Sequence, residues 1–177
     1  MPKYIIILII CVLIILPFVS TYFSKNSVSF LENGHCLYIN LDESKSRKKR
    51  VEQEIQKIGL SYTRIKAYKH NYAIIGCLLS HHQALKTAST LKNNKWFLIL
   101  EDDAVIDNKW SDSYIRSRFQ DIEYYLQDTP VVLLDAHVNG PQPEFHPHYP
   151  KVQIANGHCN AAHAYVIRRD YLDTLIQ

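Results

Sequence analysis

Along the chain the spacing of apolar positions switches between a period of two or less and a period near 3.6, the pattern of strands alternating with amphipathic helices. His35 to Leu41 (HCLYINL) is apolar on both faces and predicts a buried strand. A helix follows, with Ser44 or Asp42 as its cap, Arg47, Val51, Ile55 and Ile58 on one face, and Gly59 as its stop. Tyr62 to Ala67 alternates as a second strand. Ile74 to Leu91 predicts a longer helix in which Cys77, His81, Leu85 and Ala88 share the packed stripe. Trp96 to Leu100 (WFLIL) is a continuous apolar strand, and Tyr114 to Leu126 a helix with Ile115, Phe119, Ile122 and Leu126 inward. Val131 to Leu134 and Ala164 to Ile167 complete the strands, separated by a Pro- and His-rich loop, Asn139 to Pro150; a helix capped by Asp170 ends the chain. Doubly apolar strands between amphipathic helices predict an α/β fold, a mostly parallel sheet with helices on both faces, and ligands at the strands' carboxyl ends.

The segment Tyr4 to Phe23 has no charged residue and is long enough, at about 20 residues, to cross a bilayer as a helix. Its apolar run is long for a signal peptide and no small-x-small cleavage site follows. The expected organisation is a membrane anchor over 1–24, a polar stem over 25–34 and one folded domain over 35–177. With Lys3 before the span and Lys25 after it, the expected topology is single-pass type II, the domain lying in a lumen or outside the cytosol.

Composition narrows the classes further. At 47% hydrophobic and 21% charged the 177-residue chain is neither disordered nor low-complexity, and a net charge of +3 is too small for a nucleic-acid partner. Five of the six residues from Lys45 to Arg50 are basic, but only Arg47 lies on the apolar stripe, so most of the run is a solvated face. The four cysteines, Cys11, Cys36, Cys77 and Cys159, are too scattered for a disulfide scaffold or zinc ribbon and read as buried thiols, with a Cys36–Cys159 bridge as the pairing an oxidising lumen would allow.

The strongest chemical signal is WFLILEDD, a buried strand that delivers Glu101, Asp102 and Asp103 to the sheet's carboxyl edge. Crowded carboxylates are costly unless a cation offsets them, and oxygen ligands suit Mg²⁺ or Mn²⁺. An acidic turn that merely caps the next element is the competing reading. Ser80 and His81, near a helix start, suit a sugar hydroxyl or a phosphate, and the guanidinium of Arg47 suits a diphosphate. His137, His146, His148, His158 and His163 lack zinc-site spacing and are assigned no metal. There is no G-x-S-x-G elbow, Walker loop or G-x-G-x-x-G.

Four blocks together resemble the family 25 glycosyltransferases, the group of lipooligosaccharide and procollagen galactosyltransferases. They are YINLDESKSRKKR (Tyr38 to Arg50) with GLSYTRIKA, GCLLSHHQAL (Gly76 to Leu85), FLILEDDAVI (Phe97 to Ile106) and AAHAYVIRRDYLDTLI (Ala161 to Ile176). The resemblance implies a GT-A-like fold over 35–177, a UDP-sugar donor, Mn²⁺ (or Mg²⁺), and inverting transfer of a hexose, galactose foremost, to a hydroxyl of a glycan or protein acceptor. It implies Glu101 and Asp103 on the metal, with Asn40, Arg47, Ser80, His81 and Asp102 on the substrate side. Asp135, ending the fourth strand, is the candidate catalytic base. Family members continue for several tens of residues past the last block. The alternative expectation is therefore a truncated, non-catalytic, membrane-tethered relative that binds a nucleotide sugar or partner; a metal-dependent phosphohydrolase is a third.

Overall fold

The computed structural model describes residues 31–139, 144–145, 153–154 and 158–176. Its elements in chain order are β1 (Gly34–Asn40), α1 (Lys45–Ile58), β2 (Tyr62–Lys66), α2 (Ala73–Thr90), β3 (Trp96–Glu101), α3 (Asp112–Asp128), β4 (Val131–Asn139), β5 (Glu144–Phe145), β6 (Gln153–Ile154), β7 (His158–Arg168) and α4 (Arg169–Ile176). The periodicity thus predicts α1 to α4 and the first three strands to within a few residues.

Five strands form one mixed sheet in the order β2-β1-β3-β7-β4. β1 is parallel to β2 and to β3, whereas β7 runs antiparallel to both β3 and β4. The expectation of a mostly parallel sheet holds for β2, β1, β3 and β4, and β7 departs from it. A parallel neighbour needs a helical crossover, and such crossovers connect β1 to β2, β2 to β3 and β3 to β4. The crossover through α3 leaves a gap beside β3, and β7 fills it in the opposite sense.

Side chains alternate across this sheet into two cores. Cys36, Tyr38, Leu98, Leu100 and Val166 face Val51, Ile55 and Ile58 of α1 and Ile115, Phe119, Ile122 and Leu126 of α3. Leu37, Ile39, Phe97, Ile99 and Ile167 face Ala84 and Ala88 of α2 and Leu172 of α4. Strands buried on both sides are apolar throughout for this reason, each fully buried aliphatic or aromatic side chain contributing about 1.5–3 kcal/mol. The steps β1 to β2 and β2 to β3 run in opposite directions across the sheet, so right-handed crossovers put α1 and α2 on opposite faces. Gly59 closes α1 in the left-handed region at φ 87°, its amide bonding the Ile55 carbonyl.

Three expectations are corrected. Among the described residues no helix is long and apolar enough to cross a membrane, which goes against the single-pass expectation. The longest helix among the described residues, α2, interrupts its apolar residues with Ser80, His81, His82, Gln83 and Lys86; the run Tyr4 to Phe23 lies outside them. The packed stripe of α2 is Gly76, Ser80, Ala84 and Ala88, one residue off the expected one, with Cys77 exposed and His81 half-buried. Small residues on that stripe let the helix approach its neighbours closely, and this outweighs the larger apolar residues Ile74 and Leu78, which face outward. Cys36 is a free buried thiol, so it is not in a bridge with Cys159. Most of the loop Asn139 to Pro150 lies outside the described residues, apart from β5, which pairs with β6.

Candidate functional site

The carboxyl ends of the parallel strands β1 and β3 lie side by side, Ile39 pairing with Glu101, so Asn40 and the acidic turn emerge together. Asp102 is the structural centre of that turn. It is buried, accepts a 2.6 Å hydrogen bond from Asn40 Nδ2, and is paired at 3.2 Å with Arg47 Nη1 from the first turn of α1. Arg47 also lies 3.7 Å from Asp103. Asn40 is itself held by β2, since Arg64 donates to its side-chain oxygen at 3.0 Å and to its carbonyl at 3.1 Å. The remainder of the basic run is a solvated face: Lys45, Lys49 and Arg50 are exposed, and Lys48 sits at 4.0 Å from Glu52.

Glu101 points to the other side of the sheet end and is shared between two imidazoles. Its Oε1 lies 3.2 Å from His81 Nε2 of α2, and its Oε2 3.4 Å from His163 Nδ1 of β7. His163 Nδ1 is also 3.7 Å from Asp103 Oδ1, yet it is buried without a hydrogen-bond partner. A buried ring nitrogen facing two carboxylates with no bond made is a position that a cation would satisfy. One ligand atom from each of Glu101, Asp103 and His163 lies within 4.8 Å of the others, a mixed nitrogen and oxygen set that fits a first-row divalent ion. His81 Nδ1 is 3.1 Å from the Tyr165 hydroxyl, and the two rings stack at 5.7 Å. Cys77 Sγ lies one turn before His81, 3.9 Å from Glu101 Oε1.

Charge follows this geometry. The hydrogen bond from His81 holds the Glu101 carboxyl below its ordinary value of 4.5, against the opposing effect of burial. Burial, with the Glu101 charge second, pushes the Cys77 thiol up, and burial pushes the Tyr165 phenol up. Because the folded form holds the Glu101 proton less tightly than the unfolded chain does, its contribution to stability is fully present above about pH 4.5 and is lost as pH falls through the depressed folded value. In metal-free protein, Glu101→Gln is therefore expected to flatten the fall in melting temperature between about pH 6 and pH 3; an unchanged acid slope would show that the Glu101–His81 bond does not contribute.

Ser80 has a different place. Its buried hydroxyl donates to the Gly76 carbonyl at 2.6 Å and accepts from the Tyr68 amide at 2.8 Å, tying the segment after β2 to α2. Gly76 makes this possible, because a Cβ there would stand 2.6 Å from the Tyr68 carbonyl oxygen. Gly76→Ala is expected to displace that segment and cost about 1–3 kcal/mol, read as a lower urea midpoint.

A cleft of about 250 Å³ is lined by Asn40, Arg47, Tyr68, Cys77, His81 and Glu101, among others. A hollow of about 490 Å³ along β2 and the α2 residues Gln83 and Thr87 contains none of the acidic turn, so chemistry rather than size selects the smaller one. Of the residues singled out in the sequence, the structure brings Asn40, Arg47, Asp102 and Asp103 into one network and His81 and Glu101 into an adjoining one. Asp135 sits in β4 opposite Ala164 at an irregularity in the pairing, on the strand beside the one that carries His163. Tyr165 escapes the sequence reading, and His163, which spacing alone gives no metal, stands in β7 beside Glu101 and Asp103. The i, i+2 spacing in HAY shows that His163 and Tyr165 share a strand face, but only the antiparallel register, Leu100 with Ala164, puts that face beside Glu101.

No family model matches the chain, and no curated protein matches it in sequence. Among solved structures, a glycosyltransferase involved in the glycosylation of the major capsid of PBCV-1 superposes with a TM-score of 0.49 at 13% identity, over 80% of this chain. The chain spans 62% of that protein's length.

Proposed function

We propose that the chain is a metal-dependent glycosyltransferase with a GT-A-like domain, moving a hexose, galactose foremost, from a UDP-sugar to a hydroxyl of a glycan or protein acceptor with inversion. The observation that carries the reading is the convergence of Glu101, Asp103 and His163 Nδ1, 3.4 and 3.7 Å from the two carboxylates, at the carboxyl end of β3, beside a cleft. The four blocks that resemble family 25 supply the reaction class, and the acidic turn stands where an α/β sheet binds ligands.

Glu101, Asp103 and His163 would hold Mn²⁺ or Mg²⁺, which as a bound Lewis acid supplies charge stabilisation for a departing diphosphate. The chain's own residues do the remaining work. Arg47 presents a guanidinium, 42% exposed at the cleft, to diphosphate oxygens, while Asp102 and Asn40 fix its approach. His81 aims Glu101, and Tyr165 aims His81. Ser80 serves the donor indirectly by shaping the cleft wall at Tyr68. Asp135 is assigned the general base that takes the acceptor hydroxyl's proton during in-line attack.

Calorimetric titration with UDP and UDP-galactose, with and without Mn²⁺, tests the reading. Mn²⁺-dependent binding of both is expected, followed by release of UDP when an acceptor hydroxyl is supplied. Folded protein that binds neither overturns it, and binding with no turnover on any glycan or protein acceptor would leave a nucleotide-sugar binding module.

A further inference from the structure

Glu101 uses its two oxygens differently. Oε2 turns to His163, whereas Oε1 turns to a second group, His81 Nε2 at 3.2 Å and Cys77 Sγ at 3.9 Å, one ligand atom from each of the three lying within 4.8 Å of the others. Sulfur changes the chemistry. A thiolate is a poor ligand for Mg²⁺ or Mn²⁺ and a strong one for Zn²⁺, whose usual environment is sulfur, imidazole nitrogen and carboxylate oxygen. Tetrahedral bond lengths of about 2.3 Å to sulfur and about 2.0 Å to nitrogen and oxygen put neighbouring ligand atoms about 3.3–3.6 Å apart. The nitrogen–oxygen separation of 3.2 Å already meets this, and the sulfur–oxygen separation of 3.9 Å exceeds it by a few tenths of an ångström, a gap that rotation of the Cys77 side chain would narrow. Cys77 is on the exposed side of α2 with a free thiol, so the rotation is open and an ion has a path in.

The surroundings suit an ion as well. Tyr165 contacts the far nitrogen of His81, as the outer partner of a metal-bound imidazole does, and its ring stacks on the imidazole and fixes its plane. Helical spacing also contributes, since Cys77 and His81 at i and i+4 present their ligand atoms on one face of a rigid element.

We propose that Cys77, His81 and Glu101 form a zinc-type site with an open fourth position, separate from the hard-cation site on the opposite oxygen of Glu101. Because both sites use Glu101 and both ligands are cations, loading one weakens the other.

The test is absorption spectroscopy of the full chain titrated with Co²⁺, which substitutes for Zn²⁺ and gives a sulfur-to-cobalt charge-transfer band only when a thiolate is bound. One equivalent of Co²⁺ is expected to produce the band, and Zn²⁺ to abolish it. Cys77→Ser should remove it, while Cys159→Ser and His163→Gln should leave it in place. A missing band, a band that survives Cys77→Ser, or one lost in Cys159→Ser or His163→Gln overturns the proposal. Should Cys77→Ser fail to fold, alkylation of the unmodified protein decides instead: Zn²⁺ should slow iodoacetamide labelling of Cys77, measured on its peptide, at least tenfold, and an unchanged rate rejects the site. No nucleotide is present in either measurement, so the result is independent of the transfer reaction proposed above.

Discussion

Asp103→Ala is expected to abolish the Mn²⁺-dependent part of UDP binding while leaving the fold intact. Asp103 is 43% exposed, and its close contacts are Arg47 at 3.7 Å and His163 at 3.7 Å, neither of them at hydrogen-bonding distance. Exposed ion pairs of this kind contribute at most about 1 kcal/mol, so thermal stability should hardly change. Its carboxylate nonetheless supplies one of three converging ligand atoms. Loss of a group one shell out from a metal typically costs about 10- to 100-fold in affinity, so loss of a ligand itself should exceed about 100-fold. Calorimetry with and without Mn²⁺ reads this directly. Equal Mn²⁺-dependent affinities for the variant and the unmodified chain would remove the metal from the acidic turn, and with it the transferase reading.

Asp102→Ala should do the reverse, with stability as its main effect. Asp102 is 5% exposed, and its removal takes from Asn40 Nδ2 the shorter of its two hydrogen bonds, leaving the Ser44 carbonyl at 3.2 Å, and leaves Arg47 without its closest carboxylate. Breaking a fully buried ion pair costs about 3–5 kcal/mol; with Arg47 partly solvated, about 3 kcal/mol is the expected loss. For a domain of this size that is a fall of roughly 10 °C in melting temperature. Asp102→Asn keeps an acceptor for Asn40 and should recover about half of the loss. A melting temperature within about 2 °C of the unmodified chain's would show that the Asn40–Asp102–Arg47 network does not hold the two strand ends together. Neighbouring carboxylates of the same turn thus separate, Asp102 facing into the sheet end and Asp103 out toward solvent.

That separation was not legible in the run Glu-Asp-Asp, where the three acids look equivalent. The strand before them was legible, because WFLIL has no polar position and therefore no solvent face. Arg47 was legible as well: it alone of its basic run falls on the stripe of Val51 and Ile55, and it alone reaches the acidic turn. The stripe of α2 is not the one its apolar bulk predicts, because smallness outweighs bulk at that face. Gly76, Ser80 and Ala84 pack inward since Tyr68 passes so close to the helix.

By itself, the sequence determined the order and type of the main elements, the two-sided burial of β1 and β3, and the placing of an acidic turn at a strand's carboxyl end. These follow from periodicity and local chemistry, which act over a few residues and are written in the chain. Tertiary structure alone decided the direction of β7 and its insertion between β3 and β4. With that came the meeting of His163 with Glu101 and Asp103, and of Tyr165 with His81. The pairing of β3 with β7 joins residues 64 to 72 positions apart, and its register is set by which faces can be buried together. A one-residue slip of β7 would turn His163 to the opposite face of the sheet and take the nitrogen ligand out of the site.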